Sequence, residues 1–192
     1  MNSKLELLHN RWLALQVRPG WEFRSTYGLQ QRGYSHFLPV YQEVRRWSDR
    51  SKVVQVPLFP GYIFVRFDSG NQMSILSVPG VHRFVGVKNA PVPIDDSEID
   101  SLQITMKSGA TCGPFAYLET GQEMEIRQGP LAGLRGSFVR FKNKMRFIIS
   151  VKLLMKSVFV EVDCLDVAAV SPAHFTRVAS QHKVERVIRT AV

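Results

Sequence analysis

The chain has 192 residues, of which 45% are hydrophobic and 21% charged, and it fits one ordinary domain or two small ones. No apolar run approaches the ~20 residues of a membrane-spanning helix, and the opening Met1-Asn2-Ser3-Lys4-Leu5-Glu6 lacks the apolar core of a secretion signal. A cytoplasmic protein with no membrane partner is therefore expected. A formal charge of +9 and a pI of 9.9 favour an anionic partner, with nucleic acid the leading candidate.

Arg11 to Val17 reads as a buried strand that ends at Pro19-Gly20, and a helix is predicted over Trp21 to Arg32, with Gly33 as its stop. Ser35 to Val40 reads as a second strand. Ser48-Asp49-Arg50-Ser51 is turn-forming, so Glu43–Trp47 and Lys52–Val56 are predicted to pair as a hairpin with a projecting tip. Gly61 to Phe67 is apolar on both alternating faces up to Arg66, the pattern of a central strand covered on both sides. A short helix over Asn71 to Ser77, a strand over Val81 to Val87, and a helix from Ser97, as its cap, through Met106 complete this half. The succession predicts an α+β fold, an antiparallel sheet with packed helices of the ferredoxin-like sort.

Periodicity lapses over Lys107 to Pro114, which places a linker at residues 108–119 between an amino-terminal domain at 9–107 and a second at 120–171. In the second, Glu123–Arg127, Gly136–Phe141, Arg146–Leu153 and Ser157–Asp163 read as short strands separated by Gly129-Pro130, Gly133 and Lys142-Asn143-Lys144, a small all-β barrel. Pro172 ends it, and residues 172–192 form a weakly amphipathic, helical or frayed tail. From Arg135 to Lys156 seven cations, Arg135, Arg140, Lys142, Lys144, Arg146, Lys152 and Lys156, occur without one acidic residue and alternate with Phe138, Phe141 and Phe147. A second basic concentration lies between Arg11 and Lys52.

Cys112 and Cys164 form no CxxC pair, and His9, His36, His82, His174 and His182 are scattered, so no metal site, cofactor or catalytic constellation is indicated. An enzyme is not expected.

Gly121 to Gly136, with Gly129-Pro130, Gly133 and Gly136 after an alternating strand, resembles the opening of a KOW motif. Upstream, Leu58-Phe59-Pro60-Gly61-Tyr62-Ile63-Phe64-Val65 and Pro79-Gly80-Val81-His82-Arg83-Phe84-Val85-Gly86 look like the hallmark strands of the NusG amino-terminal (NGN) domain. Over roughly Arg11 to Val170 the chain thus resembles the NusG/RfaH family of transcription elongation factors. Val44 to Arg50 and Leu153 to Val158 look more like the specialised antiterminators of the UpxY type, with a general housekeeping factor as the alternative and a KOW-type ribosome or RNA-binding protein as a further one.

The resemblance implies a monomer that docks on the β′ clamp helices of RNA polymerase, with Phe59, Tyr62, Phe64 and Phe84 lining an apolar pocket. By position it brings Asn71, Gln72 and Met73 to the gate loop of the β subunit. Arg18 and Arg24, and Arg45 and Arg46 on the hairpin, are candidates for upstream DNA or the non-template strand. The KOW barrel is expected to recruit a ribosomal protein near Leu154, where Leu154-Met155 replaces the family's Phe-Gly and argues against Rho as partner.

Overall fold

Trp12–Val17 form the strand (β1) on which the first of two units is built. The structure is a computed structural model that describes residues 8–46, 50–67, 72–88, 90–117, 123–126, 128–141, 144–162 and 167–168. The chain divides into units Met1–Ile99 and Asp100–Val192.

In the first unit β1 leads to helix α1 (Glu22–Gln31) and then to β2 (His36–Phe37), β3 (Val40–Arg46), β4 (Ser51–Pro57) and β5 (Tyr62–Arg66). Helix α2 (Gln72–Leu76), β6 (Val81–Phe84), β7 (Gly86–Val87), β8 (Ala90–Pro91) and β9 (Pro93–Ile94) follow, and α3 (Asp96–Ser108) runs across the division. The main sheet has the order β2-β5-β1-β6, with β9 beside β6 on the same edge of β1, and all its pairs are antiparallel. With α1 after β1 and α2 after β5, this is the ferredoxin-like plan.

The core follows from strand alternation. Leu13, Leu15 and Val17 of β1 and Ile63 and Val65 of β5 pack with Leu29 of α1 and Ile75 of α2. The intervening residues occupy the other face. There Phe64 is fully buried, stacked on Phe37 at 6.2 Å and met edge-on by Phe59 at 5.7 Å. The double burial expected for this central strand is present, with Ile63, Phe64 and Val65 all inaccessible.

The second unit contains β10 (Cys112–Phe115), β11 (Glu123–Ile126), β12 (Arg135–Phe141), β13 (Lys144–Val151), a single 3-10 turn at Lys152–Leu154, β14 (Lys156–Glu161) and β15 (Val167–Ala168). These make one antiparallel sheet in the order β10-β14-β13-β12-β11-β15. Ile126, Leu134, Phe147, Ile149, Val151, Val158 and Val160 are buried in it. Ser101 of α3 accepts the Arg135 N–H at 3.1 Å.

Several expectations need correction. The span expected as linker contains β10, which pairs with β14; Pro114 can sit there because β10 is an edge strand, where a missing N–H costs no ladder bond. Ser97 does not cap α3 but lies inside it, and the Asp95 carbonyl accepts the Glu98 and Ile99 N–H groups. The strand expected from Ser35 is only two residues long, because buried Pro39 separates it from the hairpin. The strand expected over Val81–Val87 divides at Val85, and Gly86–Val87 pair with Ala90–Pro91 instead. The hairpin tip at 47–49, Cys164 and the tail at 172–192 lie outside the described residues.

Candidate docking site and nucleic-acid surface

Gln16 of β1 stands opposite Tyr62 on one side and Arg83 on the other, so these three side chains form a row across three strands. Arg83 donates from Nε to Gln16 Oε1 at 2.8 Å, which fixes the polar half of the row. Tyr62 is half-buried. A cavity of about 240 Å³ opens here, lined among others by Gln16, Tyr62, Gln72, Leu76, Arg83 and Phe84.

Tyr62 is held from behind. Its backbone N–H reaches the Phe59 carbonyl at 3.0 Å, and the preceding Gly61 N–H donates to buried Glu22 Oε1 at 2.8 Å. Glu22 opens α1, so helix and turn are tied by a charge-assisted bond.

Of the four aromatics expected to line one pocket, Tyr62 and Phe84 line the cavity, whereas Phe59 and Phe64 do not. Phe59 and Phe64 are core, at 1% and 0% exposure. Phe84 is opposite Leu15 rather than Gln16, and a one-residue step along a strand reverses the face. It packs edge-on against Phe67 at 5.7 Å, on the helix side, and at 9% exposure it still lines the cavity with Tyr62. Tyr62 alone of the four offers a half-open side chain. Gln16 and Arg83 were not anticipated; Gln16 carried a signal, being the one polar residue in the apolar run Trp12–Val17.

Of the three positions expected at a gate loop, Gln72 lines the cavity and Met73 is 78% exposed, one of the most exposed apolar side chains described. Asn71 lies outside the described residues.

Arg18 and Arg24 are brought together by Trp21: their guanidinium carbons lie 5.3 and 4.5 Å from the indole centroid. Stacking holds both cations in place while leaving their nitrogens toward solvent. Phe23 and Tyr27 are also exposed on α1. Arg45 and Arg46 stand on the β3–β4 ribbon, Arg45 bonded from Nε to Glu43 at 2.8 Å and Arg46 exposed.

In the second unit Gly129 and Gly133 take φ of 80° and 87° around exposed Pro130, and the Gly133 N–H returns to the Ile126 carbonyl at 2.7 Å. At Gly136 a Cβ would collide with the Ile148 carbonyl, so glycine is required by sheet packing. Leu154 is corrected as a contact residue: it is 8% exposed, and its neighbour Met155, left-handed at φ 50°, is 61% exposed. Met155, the left-handed residue, ends the 3-10 turn and is itself the side chain left at the surface.

Among the described residues no group of three or more His, Cys, Asp or Glu converges as a metal site would, and no helix is long and apolar enough to cross a membrane. Burial raises the Cys112 thiol pKa above its ordinary value.

Residues 10–103 match the family described as transcription termination factor NusG. The chain is 25% identical over 165 residues to the transcription termination/antitermination protein NusG of Helicobacter pylori, covering 79% of this chain and 93% of that one. Over 163 residues it is 25% identical to the Thermus thermophilus protein of the same name, covering 73% and 89%. A solved structure describing domain interaction in Thermotoga maritima NusG aligns with a TM-score of 0.47 at 18% identity, over 84% of this chain and 97% of that one. Residues 10–103, with the hallmark strands and the sheet order they form, are thus similar to the NusG family.

Proposed function

We propose that the chain is a specialised NusG paralogue that binds RNA polymerase at the β′ clamp helices and raises processivity on particular long operons. Its similarity to that family supports transcription termination or antitermination as the general task. The docking part rests on the row Tyr62–Gln16–Arg83 beside its cavity, which has room for one or two anchoring side chains of a partner.

In this reading the amino-terminal domain at 9–107 holds the polymerase, with Tyr62 as anchor and with Gln72 and Met73, next to Asn71, toward the β gate loop. Arg18, Arg24, Arg45 and Arg46 face upstream DNA or the non-template strand. The barrel at 120–171 recruits a ribosomal protein through the turn at Leu154-Met155, and the missing Phe-Gly disfavours Rho.

Single-round transcription on a long template, with polymerase binding measured in parallel, tests this with the wild type, Tyr62→Ala and Tyr62→Phe. The wild type is expected to reduce pause and termination products. Truncating a central aromatic anchor costs about 2 kcal/mol or more, roughly thirtyfold in affinity, so Tyr62→Ala is expected to lose both effects while Tyr62→Phe keeps most of them. Unchanged binding by a correctly folded Tyr62→Ala would remove the docking site from the proposal.

The shared description of the relatives supports a second reading, a general housekeeping factor. Occupancy across the genome, rather than on one or a few operons, would decide for it.

A further inference from the structure

The β3–β4 ribbon is a two-stranded sheet of its own, with neither strand paired elsewhere among the described residues. Its register puts Gln42 opposite Gln55, Val44 opposite Val53 and Arg46 opposite Ser51, and alternation places these three rungs on one face. All six residues are exposed, with Val44 at 63% and Val53 at 54%. On the opposite face Tyr41, Glu43, Val54 and Val56 are half-buried, so the bare face is the one turned away from the packing.

An exposed valine pair between a glutamine pair and an arginine would be a liability on a two-stranded ribbon that joins no larger sheet among the described residues. The described ribbon also carries four cations, Arg45, Arg46, Arg50 and Lys52, against one carboxylate, Glu43, which is bonded to Arg45. We propose that this face enters the major groove of duplex DNA and reads base edges there, an inference that deepens and rests on the DNA contact given to Arg45 and Arg46 in the proposed function, and not on polymerase docking.

The chemistry fits rung by rung. Glutamine can bond the adenine edge in bidentate fashion, valine meets the thymine methyl, and arginine reaches guanine or phosphate. A major groove about 12 Å wide admits a two-stranded ribbon. Same-face rungs are about 7 Å apart, roughly two base pairs, so three rungs span about five base pairs. The deep, narrow major groove of A-form RNA does not admit the ribbon, which selects B-form DNA.

The test is selection from a random duplex pool with the full chain and no polymerase present, followed by fluorescence anisotropy on the selected duplex and a scrambled one. The wild type is expected to enrich a site of about five base pairs containing A·T pairs, with a preference of about tenfold or more over the scrambled duplex. The Gln42→Ala/Gln55→Ala variant is expected to lose that preference with its salt dependence unchanged. Arg45→Gln/Lys52→Gln is expected to keep the preference and lower the slope of log affinity against log salt by about 2. Both variants change exposed ribbon residues, and unaltered circular dichroism melts check that they fold. Absence of any enriched duplex, a preference that survives the double glutamine variant, or tighter binding to an RNA hairpin of the same sequence would each overturn the proposal.

Discussion

Replacing Glu22 by alanine is expected to release the turn that carries Tyr62. Glu22 is only 4% exposed, and its Oε1 accepts the Gly61 N–H at 2.8 Å in a buried bond that joins α1 to the start of β5. A hydrogen bond to a charged group contributes about 1.5–3 kcal/mol, and its removal leaves a buried donor without its acceptor. In a unit of roughly a hundred residues each kcal/mol moves the melting temperature by about 4–8 °C. Glu22→Ala is thus expected to lower unfolding of the first unit by on the order of 10 °C. Glu22→Gln keeps a carbonyl oxygen in the same place and is expected to lose less than half as much. Circular dichroism melts give the shift, and amide hydrogen exchange at Gly61 tells whether the loss is local to the turn. A Glu22→Ala protein that melts with the wild type, with Gly61 still protected, would refute the assignment of this bond as the tie between helix and turn.

Gly80→Ala is expected to destabilise by more than the ~1–2 kcal/mol of left-handed backbone strain, because φ is +88° and the new Cβ would lie 2.6 Å from Ser25 Oγ and 2.9 Å from Trp21 Cε3; denaturant unfolding measures it, and a neutral result would contradict the packing described. Leu154→Ala, at a buried position, is expected to cost about 2–5 kcal/mol, whereas Met155→Ser, at an exposed one, should stay within ~0.5 kcal/mol; if the barrel recruits a partner through this turn, Met155→Ser alone weakens that binding without loss of fold. In a Cys164→Ser background, Cys112 is expected to alkylate more slowly than a free thiol at mildly alkaline pH, because burial favours the neutral form. By linkage, a raised folded-state pKa means that stability tied to this thiol is fully present below the ordinary thiol range and is lost as pH rises through the raised value. Iodoacetamide kinetics against pH check the first and denaturant unfolding against pH the second, and an alkylation rate equal to that of a model thiol would contradict its burial.

Much of the architecture was legible in the residues because local physics decides it. The apolar run at Trp12–Val17, the proline and glycine that follow it, and the Gly129, Gly133 and Gly136 spacing marked strands and turns without reference to the rest of the chain. The basic ribbon and the doubly apolar β5 were legible for the same reason. What only the tertiary structure decided is which side chains remain accessible. Phe59 and Phe64 vanish into the core because Phe37 and each other cover them, and Phe84 faces the helices because β6 pairs with β1 in one register and not the next. Met155 replaces Leu154 at the surface because one left-handed residue closes the turn. β10 and β15, four and two residues long, exist through pairing alone; segments so short carry no period of their own, and their partners lie more than forty residues away in sequence. Strand identity is a property of neighbouring residues, whereas exposure depends on long-range register, and it is exposure that turns a motif into a site.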